Sequence, residues 1–228
     1  MTKRIFSLIT TLIMVISLAG FLPTVYASAS DIEISYTSFN KTYYSNSGKQ
    51  ICKVTLKRPV IKGNKKSYQK INKYLKKIQS DYVSNILNLA KDIAPATQIY
   101  HVKSMIKLTY DKGNIISFKE AYDDYTGGVH GYNMINGYTF NKKTGKRINI
   151  SDASKYKAKI KSKVVSKLKK KIENSPNKYF EDALQDVNSK QLKDFNYYLK
   201  DKYMYVIFNP YEISPYAGGV QKIRIKIR

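Results

Sequence analysis

Acidic residues, cysteine and tryptophan are the residue types in which this sequence is poorest. Its 228 residues include 16 Asp and Glu against 41 Lys and Arg, one cysteine and no tryptophan. A single cysteine excludes an internal disulfide, so a chain of this length must be stabilised by a hydrophobic core. The formal net charge of +25 makes the surface attractive to polyanions.

Motifs for catalysis and cofactor binding are also absent from the sequence. There is no Gly-x-Ser-x-Gly turn, and Cys52 lies in a predicted strand without a nearby histidine. Neither Gly127-Gly128 nor Gly218-Gly219 opens a helix that continues with Lys-Ser or Lys-Thr, as a phosphate-binding glycine loop would. We therefore predict that the protein is not an enzyme, has no catalytic residues and needs no cofactor.

One group of residues has the composition needed for acid, base or metal chemistry. Asp123, Asp124 and His130 bring two carboxylates and an imidazole close together in the sequence. Their spacing matches no established metal motif, and the second histidine, His101, lies elsewhere. We favour the interpretation that His130 is a structural residue, hydrogen-bonded within its glycine loop, and we predict no metal site.

Residues 5–22 form the long apolar run of the sequence. Two basic residues precede it, and a proline and several small residues follow it. This order is typical of a secretory signal peptide over residues 1–27, with cleavage after Ala27 or Ala29. An uncleaved membrane anchor is the alternative. We expect no transmembrane segment after cleavage, and predict a secreted protein that is extracellular or associated with the cell wall.

Hydrophobic periodicity divides the rest of the chain into strands and helices. In residues 28–148 we expect strands over 31–45 and 50–61, a helix from Ser67 to just before Pro95, and strands over 99–110, 115–125 and 132–140. In residues 149–228 we expect a helix capped by Ser151-Asp152, with Tyr156, Ile160, Val164, Leu168 and Ile172 on one face, a helical piece over 179–187, and strands over 203–208 and 220–227.

The order of these elements is typical of an α+β fold, with an antiparallel β-sheet packed against two long amphipathic helices. Consecutive hairpins with short turns favour the antiparallel arrangement. The sequence shows no linker between its two halves, 28–148 and 149–228. We therefore expect the halves to pack together as one globule.

Two loops combine paired glycines with aromatic or histidine residues. Residues 125–131 are Tyr-Thr-Gly-Gly-Val-His-Gly, and residues 208–219 are Phe-Asn-Pro-Tyr-Glu-Ile-Ser-Pro-Tyr-Ala-Gly-Gly. Rigid aromatic loops suit sugar rings or a protein cleft, so we predict that the second loop contacts a partner. The alternative is that its tyrosines pack inward. The predicted contact residues are Tyr211, Glu212, Pro215 and Tyr216. The residues predicted to shape the loops are Gly127, Gly128, His130, Gly218 and Gly219.

Both loops belong to a longer set of family-specific residues. Besides the loops, the set contains Tyr138, Phe140, Thr144-Gly145-Lys146 and Ile150-Ser151-Asp152. With these residues in this order, the chain resembles the extracytoplasmic domains of RsiV-type anti-sigma factors and of the non-catalytic region of PdaC-type peptidoglycan deacetylases. In that family the anti-sigma domain captures lysozyme and the deacetylase has a separate catalytic domain. This chain shows neither a second apolar span nor a Thr-Phe-Asp-Asp-Gly stretch, so the resemblance implies a free-standing recognition domain.

Charge and resemblance together lead to a prediction of the partner. A basic protein exported by a bacterium meets teichoic acids and other polyanions, so we predict binding to anionic cell-wall polymer or peptidoglycan. The alternative is a lysozyme-binding or lysozyme-decoy protein, which the basic charge of common lysozymes opposes. Lysines interleaved with tyrosines, as in Tyr197, Tyr198 and Lys200, also suit nucleic acid. Export argues against a dedicated nucleic-acid role.

Overall fold

The computed structural model describes residues 32–92 and 99–227, and the predicted signal peptide lies outside them. Over these residues the chain forms eight strands and three α-helices. The strands are β1 (Ile34–Tyr44), β2 (Gln50–Ile61), β3 (Tyr100–Lys112), β4 (Ile115–Tyr125), β5 (Tyr132–Asn141), β6 (Asn196–Lys200), β7 (Tyr203–Phe208) and β8 (Gln221–Lys226). The helices are α1 (Lys66–Asp92), α2 (Ile160–Asn174) and α3 (Ala183–Ser189).

The first five strands form one sheet, here called the large sheet, in the order β1-β2-β3-β4-β5. The pairs β1–β2, β3–β4 and β4–β5 are antiparallel, as their short predicted connections require. β2 and β3 run parallel, which corrects the expectation of a wholly antiparallel sheet. The reason is that a long helix between two strands carries the chain back across the sheet, so the second strand enters in the same direction.

α1 covers one face of the large sheet, and it does so because its apolar residues recur at helical spacing. Ile71, Leu75 and Val83 are buried in clusters with strand residues such as Val54. Cys52 belongs to one of these clusters and is a fully buried free thiol. Burial, with the nearby Asp124 charge, raises the pKa of the Cys52 thiol to about 11. The thiol therefore acts as a small apolar side chain.

The last three strands form a second antiparallel sheet, here called the small sheet, in the order β6-β7-β8. Its inner face and α2 enclose an aliphatic core that includes Val164, Leu168, Val206 and Ile223. The outer residues of β8 are the exposed basic side chains Lys222, Arg224 and Lys226, which alternate with buried residues. Each sheet therefore has its own helix and its own core.

Three elements in this second half differ from the sequence-based expectation. β6 was not predicted, because a strand of five residues is too short to show a clear alternation. α2 begins at Ile160 and not after Ser151-Asp152, since residues 151–156 form turns and a short 3-10 helix precedes α2. α3 begins at Ala183 and not at residue 179, because Pro176–Lys178 forms a separate 3-10 turn.

The two sheets meet where β6 crosses β4 and β5 on the face of the large sheet opposite α1. Gly137 makes this crossing possible, since a Cβ there would lie 1.9 Å from the carbonyl oxygen of Tyr197. The Gly137 amide donates to the Asn196 side-chain oxygen at 2.8 Å, and the Leu199 amide donates to the Ser117 hydroxyl at 2.9 Å. The small sheet is thus attached to the large one by backbone contacts at very short range.

The predicted combination of helices with mainly antiparallel strands is confirmed. The detailed arrangement differs from the predicted single sheet with two long helices. The strands divide between two sheets, and α1 is much the longest helix. Within the described ranges, none of the helices combines the length and the apolar character that crossing a lipid bilayer demands.

Candidate functional site

The two glycine-containing loops, which residues 132–207 separate in the sequence, come together in space. The His130 and Tyr216 rings stack with their centroids 3.9 Å apart and their planes 16° from parallel. The Tyr216 hydroxyl donates to the Gly131 carbonyl at 2.6 Å, and the Tyr211 ring lies 6.0 Å from the Tyr216 ring. We call this group, Val129, His130, Tyr211 and Tyr216, the two-loop cluster. Residues from both halves of the chain therefore form one surface.

The backbone of each loop holds its side chains outward. Gly127 and Gly128 both have φ near +90° (91° and 90°), a conformation that glycine adopts readily, and Val129 after them is 99% exposed. Tyr211 has a φ of +70°, which is uncommon for a residue with a side chain, and it is 57% exposed. Tyr211 is the third residue of a turn that the Glu212 amide closes on the Asn209 carbonyl at 3.0 Å, and a positive φ at that position after a proline is typical of a type II turn.

Hydrogen bonds to β5 fix the position of the second loop. The Ile135 amide donates to the Asn209 side-chain oxygen at 2.8 Å, and the Tyr132 hydroxyl donates to the Pro210 carbonyl at 3.1 Å. Burial raises the pKa of Tyr132, and the nearby Glu212 charge adds to the effect. Tyr132 and Asn209 are positioning residues that the sequence did not single out, because their contacts join strands that are far apart in the chain.

Glu212 is a structural residue and not a free acid. Its carboxylate accepts a hydrogen bond from the Asn209 amide at 2.9 Å and forms an ion pair with Lys190 at 3.2 Å. Pro215 is exposed beside it and precedes a 3-10 turn over Tyr216–Gly218. Of the four residues predicted to contact a partner, Tyr211 and Pro215 are exposed, whereas Glu212 and Tyr216 are half-buried.

The residues predicted to shape the loops occupy turns. Gly219 follows the 3-10 turn with a φ of +62°, and Gly218 lies against the Ser214 side chain. His130 is exposed, and its Nδ1 lies 2.9 Å from the Gly131 carbonyl, so the hydrogen is on that nitrogen. His130 thus makes the expected hydrogen bond within its own loop, and in addition packs its ring face against Tyr216.

Asp123, Asp124 and His130 do not come together. Alternation along β4 places Asp123 on the outer face, where its carboxylate lies 3.4 Å from Lys103 and 4.0 Å from His101. Asp124 points to the opposite face and accepts a hydrogen bond from the Tyr82 hydroxyl beneath α1. In the part of the chain that the structure describes, no three His, Cys, Asp or Glu side chains are arranged to hold a metal ion.

A buried acidic network under α1 is the feature that sequence reasoning missed. Glu120 is 0% exposed and accepts hydrogen bonds from the Ser104 and Tyr138 hydroxyls, the latter at 2.7 Å. Burial raises the pKa of Glu120, and it raises the pKa of Asp124, which is 1% exposed, to about 6. The alternation of Glu120, Tyr122 and Asp124 on one face of β4 was the available signal. Solvent does not reach this network, so we regard it as structural.

Comparison with known proteins gives two matched regions, and each contains one of the two loops. Residues 45–133 match the family described as deacetylase PdaC, and residues 149–228 match DUF3298, a family of unknown function. A DUF3298 protein from Bacteroides fragilis has a similar structure, with a TM-score of 0.58 and 18% identity over 86% of this chain and 91% of that one. A second, from Pseudomonas aeruginosa, gives a TM-score of 0.56 and 13% identity over 86% and 90%.

This chain has the DUF3298 fold. No curated protein matches it. His130 and Val129 lie within the region that matches PdaC, whereas Tyr211 and Tyr216 lie within the region that matches DUF3298. The two-loop cluster is therefore formed where the two matched regions touch.

Proposed function

We propose that the protein is a secreted, non-catalytic recognition domain of the cell envelope, and that it binds anionic wall polymer or peptidoglycan. The observation that supports this most directly is the two-loop cluster. It presents the aromatic rings of Tyr211, Tyr216 and His130 on a rigid backbone next to exposed Val129. Flat rings that are held in place bind sugar rings with little loss of side-chain entropy.

The distribution of positive charge supports a polyanionic partner. Exposed lysines follow the outer surface of α1, as at Lys73 and Lys76, and that of α2, as at Lys167 and Lys170. In the described ranges, the exposed lysines with a carboxylate within 4 Å are Lys77 and Lys103, and the half-buried Lys190 and the buried Lys142 are paired as well. Most of the positive charge is thus not neutralised within the protein and adds long-range attraction to any polyanion.

We also propose that the chain is related to RsiV-type domains. Because the anti-sigma domain of that family captures lysozyme, lysozyme is the second partner to test. The net charge of +25 opposes approach to a basic lysozyme. Glu212, an acidic residue next to the rings, is already paired with Lys190. These two observations favour the wall polymer over lysozyme.

The test is a co-sedimentation assay with purified cell walls, with and without their teichoic acid, at about 0.15 M salt. Tyr211→Ala and Tyr216→Ala are each expected to weaken binding about tenfold, the effect of losing a central aromatic contact. Tyr216→Phe keeps the ring stack and is expected to bind nearly as well as the wild type. Tyr44→Ala is the matched control, since Tyr44 is an exposed tyrosine of β1, on the opposite edge of the large sheet.

Two results would contradict the proposal. One is that wild-type protein ignores wall material at this salt concentration while binding lysozyme tightly in a parallel titration. The other is that both alanine variants bind walls as the wild type does, which would remove the two-loop cluster from the mechanism.

A further inference from the structure

The corner between the two sheets gathers positive charge from four different strands. β6 crosses the outer face of the large sheet at Gly137, whose partner across the β4–β5 pair is Lys119. Lys119 is therefore next to the small sheet, and it is half-buried. The residues of this group, here called the lysine corner, are Lys107, Lys119, Lys200 and Lys222.

Strand register brings two of these lysines face to face. Lys107 and Lys119 are direct partners in the β3–β4 pair, and both point away from α1. Like charges that are directly opposite destabilise a sheet. Such a pair is expected where something other than the protein supplies the counter-charge.

The small sheet contributes the other two lysines from opposite ends of its outer face, Lys222 in the row of Asn196 and Lys200 in the row of Tyr203. Lys200 is the last residue of β6, and Lys222 lies in one row across the sheet with Ile207 and Asn196. Asn196 bonds to the Gly137 amide, so this row begins beside β5. Burial lowers the pKa of Lys119, and the positive charges of Lys222, Lys107 and Lys200 lower it further.

No acidic side chain compensates this charge. Among the described residues, no carboxylate lies within 4 Å of any of the four ammonium groups. The other end of the same strand pair is different. There Lys103, four residues before Lys107 on β3, pairs with Asp123 of β4 at 3.4 Å. The outer face of the large sheet is thus neutralised at one end and strongly basic where the sheets meet.

The basic surface continues from the corner along the outer face of the small sheet. Arg224 of β8 lies 4.6 Å from the Tyr203 ring, and Lys226 is the direct partner of Tyr203. The Tyr198 and Tyr205 rings stack in parallel at 5.1 Å on the same face. The result is a strip of cations beside aromatic rings along the outer face of the small sheet.

We propose that the lysine corner binds the phosphate groups of a phosphodiester-linked wall polymer, which continues along β8. Four ammonium groups from two sheets suit an anion whose oxygens accept hydrogen bonds in several directions, and a phosphate offers these oxygens. A polymer supplies one such group after another, which matches a strip better than a single pocket. This inference rests on the proposed function, and it names the site and chemistry of the charged part of binding.

The test uses the full chain and purified poly(glycerol phosphate), with affinity measured by titration at about 0.15 M salt. Lys119→Met and Lys107→Met, which remove the charge but keep a similar side-chain length, are each expected to weaken binding about tenfold. Lys49→Met, at an exposed lysine in the β1–β2 turn, is the matched control for net charge, and we expect at most about a twofold change. The dependence of log affinity on log salt concentration is expected to become shallower for the corner variants only, because fewer counterions are released.

Thermal unfolding provides a second measurement that a purely structural role would not reproduce. Without anion, Lys119→Met is expected to melt above the wild type, since it removes repulsion within the lysine corner. Adding poly(glycerol phosphate) is expected to raise the melting temperature of the wild type more than that of Lys119→Met.

Three outcomes would overturn the inference. The first is that Lys119→Met and Lys107→Met bind poly(glycerol phosphate) as tightly as the wild type does. If the wild type still bound cell walls, the proposed function would stand without the lysine corner. Equal wild-type affinity for polyglutamate would show a general polyanion surface without phosphate preference. Displacement of the wall polymer by a short duplex DNA at equal phosphate concentration would point to nucleic acid instead. Failure of wild-type protein to bind any wall material would count against the proposed function itself.

Discussion

The two cores of this protein differ in chemistry although each lies between a helix and a sheet. The core between α2 and the small sheet is mainly aliphatic, with Val164, Leu168 and Ile225 fully buried or nearly so. The core between α1 and the large sheet also encloses two carboxyl groups, Glu120 and Asp124. The first is stabilised mainly by apolar burial, whereas the second includes groups whose ionised forms are unfavourable inside a protein.

This difference shows how one strand can serve two purposes. The inner face of β4 holds acids among hydroxyl groups and no lysine, whereas its outer face carries Lys119 in the lysine corner. A hydrogen-bonded polar core specifies one arrangement of its partners, because each misplaced group would stay unsatisfied. We expect the aliphatic core to set stability and the acidic network to make that stability depend on pH.

The largest effect is expected from separating the two cores. Gly137→Ala places a Cβ 1.9 Å from the Tyr197 carbonyl oxygen, so β6 must move off the large sheet. We expect a loss of more than about 5 kcal/mol in the free energy of unfolding, or failure to fold, because both contacting groups are backbone. Urea denaturation measures this loss. Gly48→Ala is the control, since its Cβ meets no atom within 4 Å and only its φ of +79° is unfavourable. Similar stability of the two variants would show that the sheets do not need this contact.

A smaller loss is expected from a cavity in the aliphatic core. Leu168 is fully buried beneath the small sheet, and Leu168→Ala is expected to lower the free energy of unfolding by about 4 kcal/mol. Because no acid of the network lies in this cluster, the loss should be the same from pH 4 to pH 7. Urea titrations across that range provide the check. A loss that changed steadily with pH would mean that the two cores are coupled.

The third effect depends on pH and concerns the polar core. The pKa of Asp124 is raised to about 6, above its value in an unfolded chain, so the folded state binds the extra proton between about pH 4 and pH 6. Asp124 therefore contributes a loss of stability as pH rises through this window, of up to about 3 kcal/mol. Asp124→Asn is expected to remove that contribution.

The measurement is the difference in unfolding free energy between wild type and Asp124→Asn at several pH values. Relative to the wild type, the unfolding free energy of Asp124→Asn should rise from pH 4 to pH 6, and the difference should then stay constant. Asp123→Asn is the matched control, since Asp123 is the exposed neighbour on the other face of β4. If both variants changed with pH in the same way, burial of Asp124 would not be the cause.

Most secondary structure was predictable from the sequence, because it depends on patterns within short windows. The repeats of Ile71 and Leu75 predicted α1, and regular alternation predicted β3, β4 and β5 almost to their ends. β6 was not predicted, because its five residues are too few to show a clear alternation. The start of α2 was placed too early because Ser151-Asp152 has the composition of a cap but occupies a turn.

The candidate sites were predictable only as separate parts. The sequence by itself determined the excess of positive charge, the mixed fold and the two loops with their glycines and rings. Only the tertiary structure decided that His130 stacks on Tyr216, that Asp123 and Asp124 point apart, and that Lys119 meets three other lysines. The physical reason is that local periodicity specifies which way a side chain points from its own element. The register and packing between distant elements decide what it meets there.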